Sequence, residues 1–231
     1  MDTSSAKQSR RNSILALSLV FGPALFLIFI STRGCDHRFK KLQDYGLVET
    51  PTFSVYTRHG LQPRTLKDYQ DQVLLVTTLQ TTCPHACGLA FFPLSQTLYR
   101  DIRDNKRKKL KQVRLLSIVV DSLGNPASLS QLKDVQDMLR TEVNGYDPKL
   151  WQLVSADPRA FFDHKHNGQS LIVRDKKYMG GISVNELIML IDKQSHLRMV
   201  INGSTEGMVR KMKEHLALLM KQYDKDRAAK Q

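Results

Sequence analysis

The chain has 231 residues, of which 41% are hydrophobic and 25% are charged. This length fits one globular domain with an appendage, and this composition excludes a disordered or a collagen-like chain. Thirty-five Lys and Arg against 22 Asp and Glu give a formal net charge of +13. The charge is local, with a net +5 in residues 1–41 and +6 in residues 100–114. Because residues 100–114 contain no aromatic side chain to stack on bases, we expect no nucleic-acid partner.

The first predicted element is a membrane-spanning helix. Residues 12–32 carry no charged side chain, and a helix of that length rises about 31 Å, close to the thickness of a bilayer core. We therefore expect an N-terminal tail over residues 1–12, a transmembrane anchor over 13–32 and a linker over 33–51. A cleaved signal peptide, or a lipoprotein signal at Cys35, is the alternative interpretation.

The orientation of the anchor is predicted from the length of the tail rather than from charge. Basic residues flank the apolar segment on both sides, so the positive-inside rule does not decide. A tail of about a dozen residues is short enough to stay inside while a larger domain is exported. We expect a single-pass membrane protein whose domain lies on the extracytoplasmic (periplasmic) side.

The sequence after the linker predicts one mixed α/β domain over residues 52–223, followed by a solvated tail over 224–231. Short apolar runs predict buried strands, and apolar residues at helical spacing predict helices. Strands are expected at 72–78, 113–120, 151–154, 186–192 and 197–202, and helices from the cysteine pair to about Asp104, from Ser128 to about Leu139, and around 208–219. This order indicates a central sheet with parallel strands in the middle and an antiparallel edge, flanked by helices.

A pair of cysteines follows the first predicted strand. In Cys83-Pro84-His85-Ala86-Cys87, Pro84 suits the first turn of a helix, which would place Cys83 at its N-terminus, where the helix dipole favours a thiolate. Cys87 would lie one turn away, with the two Cα atoms about 6 Å apart. Such a pair can cycle between dithiol and disulfide or hold a soft ion such as Cu(I). Two inert, buried structural cysteines are the alternative.

Two other kinds of site fit the residues less well. A peroxiredoxin needs a threonine three residues before its nucleophile, and that position holds Gln80. A zinc site built from Cys83, His85 and Cys87 would lack a fourth ligand at suitable spacing.

Three segments resemble those of a known family: VTTLQTTCPHACGL at 76–89, LSIVVD at 116–121 and LID at 190–192. By these segments the sequence resembles the Sco/SenC family of membrane-anchored, thioredoxin-fold proteins of cytochrome c oxidase assembly. It implies a thioredoxin-like fold, and Cys83 and Cys87 as copper ligands and as a redox pair. It also implies a partner that is a cytochrome c oxidase subunit or another copper-site protein.

The third copper ligand of that family is a histidine, and the sequence lacks it at the matching position. A gapless alignment places Val184 there, and valine cannot coordinate copper. His164 and His166, about twenty residues upstream, would reach the site only if the loop were shifted. We therefore expect thiol–disulfide chemistry, as a reductant of copper-site cysteines, with a non-catalytic Cu(I) chaperone as the alternative.

Overall fold

The structure is a computed structural model that describes residues 21–23, 25–29, 41–49, 52–104, 112–166, 169–170 and 184–228, with only the backbone given for 166, 169 and 170. The chain divides into two compact units, Met1–Lys40 and Lys41–Gln231. In the first unit, residues 21–23 and 25–29 are helical. The rest of the predicted anchor lies outside the described residues. Within the described part of the chain, no helix reaches the length and hydropathy that a membrane span requires.

The second unit contains a seven-stranded sheet with the strand order β2-β1-β5-β4-β3-β8-β9. Strands β3, β4 and β5 are parallel, whereas β1, β2, β8 and β9 pair antiparallel on the two sides. The predicted mixed sheet with a parallel centre is therefore confirmed. The strands are β1 Phe53–Thr57, β2 Gly60–Arg64, β3 Val73–Gln80, β4 Val113–Val120, β5 Trp151–Ser155, β8 Leu187–Ile191 and β9 Leu197–Asn202, and β6 Lys165–His166 pairs separately with β7 Gln169–Ser170.

Helices cover the sheet. Ser128 caps its helix as predicted, because its hydroxyl accepts a hydrogen bond from the Gln131 N–H at 3.4 Å. The last helix continues to Ala228, five residues beyond the predicted end of the domain at 223. The helices are α1 over 91–104 (α-helical Phe91–Pro93, π-helical Leu94–Tyr99 and α-helical Arg100–Asp104), α2 Leu129–Glu142, α3 Pro158–Phe162 and α4 Glu206–Ala228.

The alternation of side chains along β3 divides the apolar core into two clusters. Leu75 and Leu79 belong to a cluster with buried residues of α1, α2 and α4, which we call the helix-side cluster. Leu74 and Val76 point the other way, into a second cluster with residues of β1 and α3, which we call the opposite cluster. Because strand side chains alternate between faces, the first seven residues of β3, all apolar or threonine, face both sides of the sheet, which explains why this strand is buried up to Gln80.

The two ends of the central strands carry different segments of the chain. We call the carboxyl edge the end where β3 finishes at Gln80 and β8 begins at Leu187, and the amino edge the end where β3 begins at Val73 and the turn 192–196 joins β8 to β9. Residues 41–49, within the predicted linker, pack on the amino edge, with the Tyr45 N–H 2.9 Å from the Leu197 carbonyl oxygen. The folded unit thus includes part of the segment that the sequence assigns to the linker.

Candidate functional site

The cysteine pair lies at the carboxyl edge, as the position after a buried strand predicts. Cys83 and Cys87 form a disulfide, with their Cα atoms 5.0 Å apart. The loop that carries them starts directly after β3, and its first N–H, of Thr81, donates to the carbonyl of Val120 at the end of β4. In open α/β sheets, this edge of the parallel strands is where functional groups collect.

The predicted helix start at Cys83 is wrong. Residues 81–85 form turns, the Cys83–Pro84 peptide bond is cis, and the helix begins only at Phe91. The Thr82 hydroxyl donates to the Ala86 carbonyl at 2.6 Å and so occupies an acceptor that a continuing helix would need. Since no helix begins at Cys83, the helix dipole does not activate its sulfur, and the reason for treating Cys83 as the favoured thiolate is removed.

The two sulfur-bearing residues differ in their access to solvent. Cys83 is 7% exposed and belongs to the helix-side cluster, whereas Cys87 is only partly buried against that cluster. A thiol must be reached by its partner to react with it. Cys87 is therefore the better-placed residue of the pair for contact with another protein.

Gln80 and Asn185, which the sequence did not single out as supports of the cysteine loop, hold that loop in place. Gln80 accepts a hydrogen bond from the Gly88 N–H through its Oε1 at 2.9 Å. Gly88 also packs directly on Asn185, because a Cβ added at Gly88 would lie 2.6 Å from the Asn185 carbonyl oxygen and 2.9 Å from its Cβ. Only a glycine allows this close approach without a shift of the neighbouring backbone. The glycine directly after the CPxxC motif is therefore the sequence feature that could have indicated this contact.

Val184, the residue at the position of the family's histidine, does not face the cysteines. Its side chain is fully buried in the opposite cluster, whereas Cys83 lies in the helix-side cluster. Its carbonyl accepts a hydrogen bond from the Thr78 hydroxyl at 3.0 Å. The residue that packs on Gly88, directly after Cys87, is the next one, Asn185, so the gapless alignment is one position away from the residue that contacts this loop.

The described histidines do not complete a metal site. His85 is exposed between the cysteines. His164 is buried, and its Nε2 lies 2.9 Å from the carbonyl oxygen of Tyr45, a residue bound to the amino edge. The side chain of His166 lies outside the described residues. Over the described ranges, no three His, Cys, Asp or Glu side chains come together as metal ligands.

Asp121, which the resemblance singled out, shapes the turn after β4. Its Oδ1 accepts hydrogen bonds from the Asn125 N–H at 2.9 Å and the Leu123 N–H at 2.8 Å. These bonds, above all those from Asn125, hold the pKa of the Asp121 carboxyl below its usual value. The carboxylate is thus ionised and used within its own turn.

Comparison with known proteins shows likeness in structure only. No family model and no curated protein matches the sequence. Among solved structures, a SCO1/SenC family lipoprotein from Bacillus anthracis is 17% identical, with 77% of this chain and 99% of that chain covered and a TM-score of 0.50. The Bradyrhizobium japonicum ScoI with copper bound is 16% identical, with 74% of this chain and 98% of that chain covered and a TM-score of 0.44. The mitochondrial 2-Cys peroxiredoxin of Plasmodium falciparum is 12% identical, with 81% of this chain and 98% of that chain covered and a TM-score of 0.49.

The similarity to the B. anthracis protein shows the fold. The B. anthracis protein is covered almost completely, so the shared part includes the sheet and the helices rather than a single motif. The resemblance noted in the sequence is thereby confirmed at the level of the fold: the chain has the thioredoxin-like α/β fold of a Sco/SenC family protein.

Proposed function

We propose that this protein is a Sco-like, membrane-anchored factor of cytochrome c oxidase biogenesis that reduces the disulfide of a client's copper-site cysteines. The observation that carries the proposal is the Cys83–Cys87 pair, which is bonded at the carboxyl edge and partly exposed at Cys87. A bonded pair with one accessible member is the arrangement required of a dithiol that exchanges with another protein.

The redox step begins from the reduced pair. The Cys87 thiolate attacks one sulfur of the client disulfide, so that a Cys87–client disulfide forms and one client thiolate leaves. The Cys83 thiolate then attacks the Cys87 sulfur, which forms the Cys83–Cys87 disulfide and releases the second client thiolate. The client gains two electrons and the protein loses two, and an external dithiol reductant returns the pair to its reduced state.

A second candidate function is transport of Cu(I) as cargo, and the close spacing of the two sulfurs favours it. Two thiolates form a soft donor set that suits Cu(I). The side chain of Val184, where the family has its histidine, is buried away from Cys83 in the opposite cluster. Without an imidazole from that position, the pair would be a two-sulfur site, which is why disulfide exchange is the leading proposal.

Single cysteine variants of the full chain in detergent, in a Cys35→Ser background, test the exchange. The probe is a peptide with two cysteines joined as a disulfide. Cys83→Ser, which leaves the accessible Cys87, should accumulate a protein–peptide mixed disulfide that mass spectrometry detects. Cys87→Ser should accumulate at least tenfold less, since thiol exchange depends on access. Equal trapping would contradict the assignment of Cys87, and no trapping by either variant would contradict the exchange function.

Anaerobic Cu(I) titration against a bicinchoninate competitor separates the two candidate functions. If the protein competes no better than a Cys83→Ser/Cys87→Ser variant while the disulfide forms and reduces reversibly, the copper-transport function fails.

The anchor over 13–32 and the extracytoplasmic position of the domain belong to the proposal too. Resistance to carbonate extraction and cleavage by protease added to spheroplasts test them.

A further inference from the structure

The buried side chain of Asn185 has an unused hydrogen-bond acceptor at the carboxyl edge. Asn185 is 4% exposed, and its Oδ1 is inaccessible to solvent and lacks a partner among the described residues. Buried polar groups are nearly always hydrogen-bonded, and leaving one unpaired is unfavourable. An exception of this kind calls for an explanation.

Asn185 lies against the loop that carries the cysteines. The Cβ of Asn185 would be 2.9 Å from a Cβ placed on Gly88, the residue that directly follows Cys87. The N–H of Gly88, the loop residue that packs on Asn185, already donates a hydrogen bond to Gln80 Oε1. The described contacts therefore leave Asn185 without a donor from this part of the loop while the disulfide is intact.

We infer that Asn185 is a positioning residue that sets the redox equilibrium of the pair, because its Oδ1 accepts a hydrogen bond from the Cys87 thiol once the disulfide is reduced. Reduction by a dithiol breaks the S–S bond and transfers two electrons and two protons to the cysteines, and the dithiol becomes a disulfide. The product contains two S–H donors that the disulfide lacked. This inference rests on the proposed redox function.

The burial of Asn185 supports a protein donor rather than water. A water molecule does not reach the Oδ1 atom, so a partner must come from a neighbouring side chain or backbone group. The adjacent 83–87 loop is the segment whose donor inventory changes between the two redox states. A hydrogen bond made only in the reduced state favours that state over the disulfide.

Asn185→Leu, which has a similar size and no acceptor, tests the inference. The full chain in detergent, with Cys35→Ser, is equilibrated with mixtures of reduced and oxidised dithiothreitol, and the reduced fraction is counted by thiol alkylation. The variant should disfavour the reduced form by about tenfold, which is about 30 mV in midpoint potential. An unchanged equilibrium constant would overturn the inference.

Thr78→Val is the matched control. It removes the hydrogen bond from Thr78 to the carbonyl of Val184 and so loosens the same segment without touching Asn185 Oδ1. The control should leave the equilibrium constant within about twofold of that of the parent protein. A tenfold shift in the control as well would show that Asn185 acts only through general packing, and would overturn the inference.

A spectroscopic measurement does not depend on the stability of the variant. With Cys83→Ser and Cys35→Ser, Cys87 is the only remaining thiol, and its infrared S–H stretching band should move to higher frequency when Asn185→Leu is added. A band that does not move contradicts the hydrogen bond.

The redox titration separates the two proposals. If the parent protein reduces reversibly and Asn185→Leu titrates identically, only the inference about Asn185 fails. If the disulfide of the parent protein never reduces, both the proposed function and the inference fail.

Discussion

The two edges of the central sheet hold their neighbouring segments by different forces. At the carboxyl edge, the cysteine loop is held by neutral contacts, such as the Gly88 N–H on Gln80 and the packing of Gly88 on Asn185. At the amino edge, residues 41–49 are held by charge as well. There, Nη1 of Arg198 lies 3.3 Å from Asp44 Oδ2 and 3.4 Å from Asp192 Oδ2.

This difference suits the two edges to different tasks. The contacts that hold the cysteine loop are uncharged, so they do not require a particular charge on the cysteines and can persist in both redox states. An ion pair fixes the geometry of its partners, and at the amino edge it fixes the point where the chain enters the domain. The two edges are separated by the length of β3, about 23 Å for eight residues, so we expect a change at one edge to leave the other unaffected.

The largest expected effect comes from removing the charge at the centre of the amino edge. Arg198→Met keeps most of the aliphatic stem but leaves Asp192, which is 5% exposed, without its cationic partner. Removing one member of a buried ion pair costs several kcal/mol, and we expect a loss of about 3 kcal/mol in the free energy of unfolding. Urea unfolding measures it, and the midpoint potential of the cysteine pair should not change.

Arg140→Met is the matched control for Arg198→Met. Arg140 pairs with Asp137 on α2 at 2.8 Å, and both side chains are about half exposed. Exposed pairs contribute little, so this variant should lie within about 0.5 kcal/mol of the parent protein. Equal losses from the two variants would mean that burial does not distinguish the amino-edge pair.

The second prediction concerns packing at the carboxyl edge. Gly88→Ala places a Cβ 2.6 Å from the carbonyl oxygen of Asn185, so the loop or the segment before β8 must move. Forcing an extra carbon into such a contact costs about 1–3 kcal/mol. We expect a loss in that range in urea unfolding, together with a changed rate of thiol exchange at Cys87.

A glycine in open space provides the control, and a double variant tests the independence of the edges. Gly207 lies near the start of α4 with nothing within 4 Å of an added Cβ, so Gly207→Ala should be neutral or slightly stabilising. Gly88→Ala and Arg198→Met should have additive effects on stability to within about 0.5 kcal/mol. A larger deviation would show that the two edges are coupled.

The strands and the place of the cysteines were predictable because they rest on patterns that tertiary contacts reinforce. The apolar runs of β3 and β4 exceed what a half-exposed strand would carry, and the position of Cys83 after such a run places it at the carboxyl edge. The conformation of the loop was not predictable. Pro84 suits a helix start in general, but here the Thr82 side chain competes for the Ala86 carbonyl.

Contacts with the cysteine loop were the least accessible part of the prediction. Val184 and Asn185 are neighbours in the short 3₁₀ turn before β8, and a shift of one residue decides which of them contacts the loop. Sequence matching alone cannot resolve such a shift. The β1–β2 hairpin was missed as well, because β2 contains Pro63 and is mostly exposed, as expected only of an edge strand.

The smallest predicted effect depends on pH at the amino edge. Burial acts to raise the pKa of the Asp44 carboxyl, but the Gly46 N–H, then His196 and Arg198, outweigh it and hold the pKa below its usual value. A lowered carboxyl pKa stabilises the fold above the pKa of the unfolded chain, and this stabilisation is lost as the pH falls through the folded-state value.

Because Asp44 is 46% exposed, we expect Asp44→Asn to cost at most about 1 kcal/mol near neutral pH. In urea unfolding, the difference from the parent protein should shrink as the pH falls below the usual pKa of an aspartate carboxyl. Asp163→Asn, at an exposed site, is the control. A cost for Asp44→Asn that persists unchanged at low pH would mean that Asp44 stabilises the entry segment by the geometry of its turn rather than by its charge.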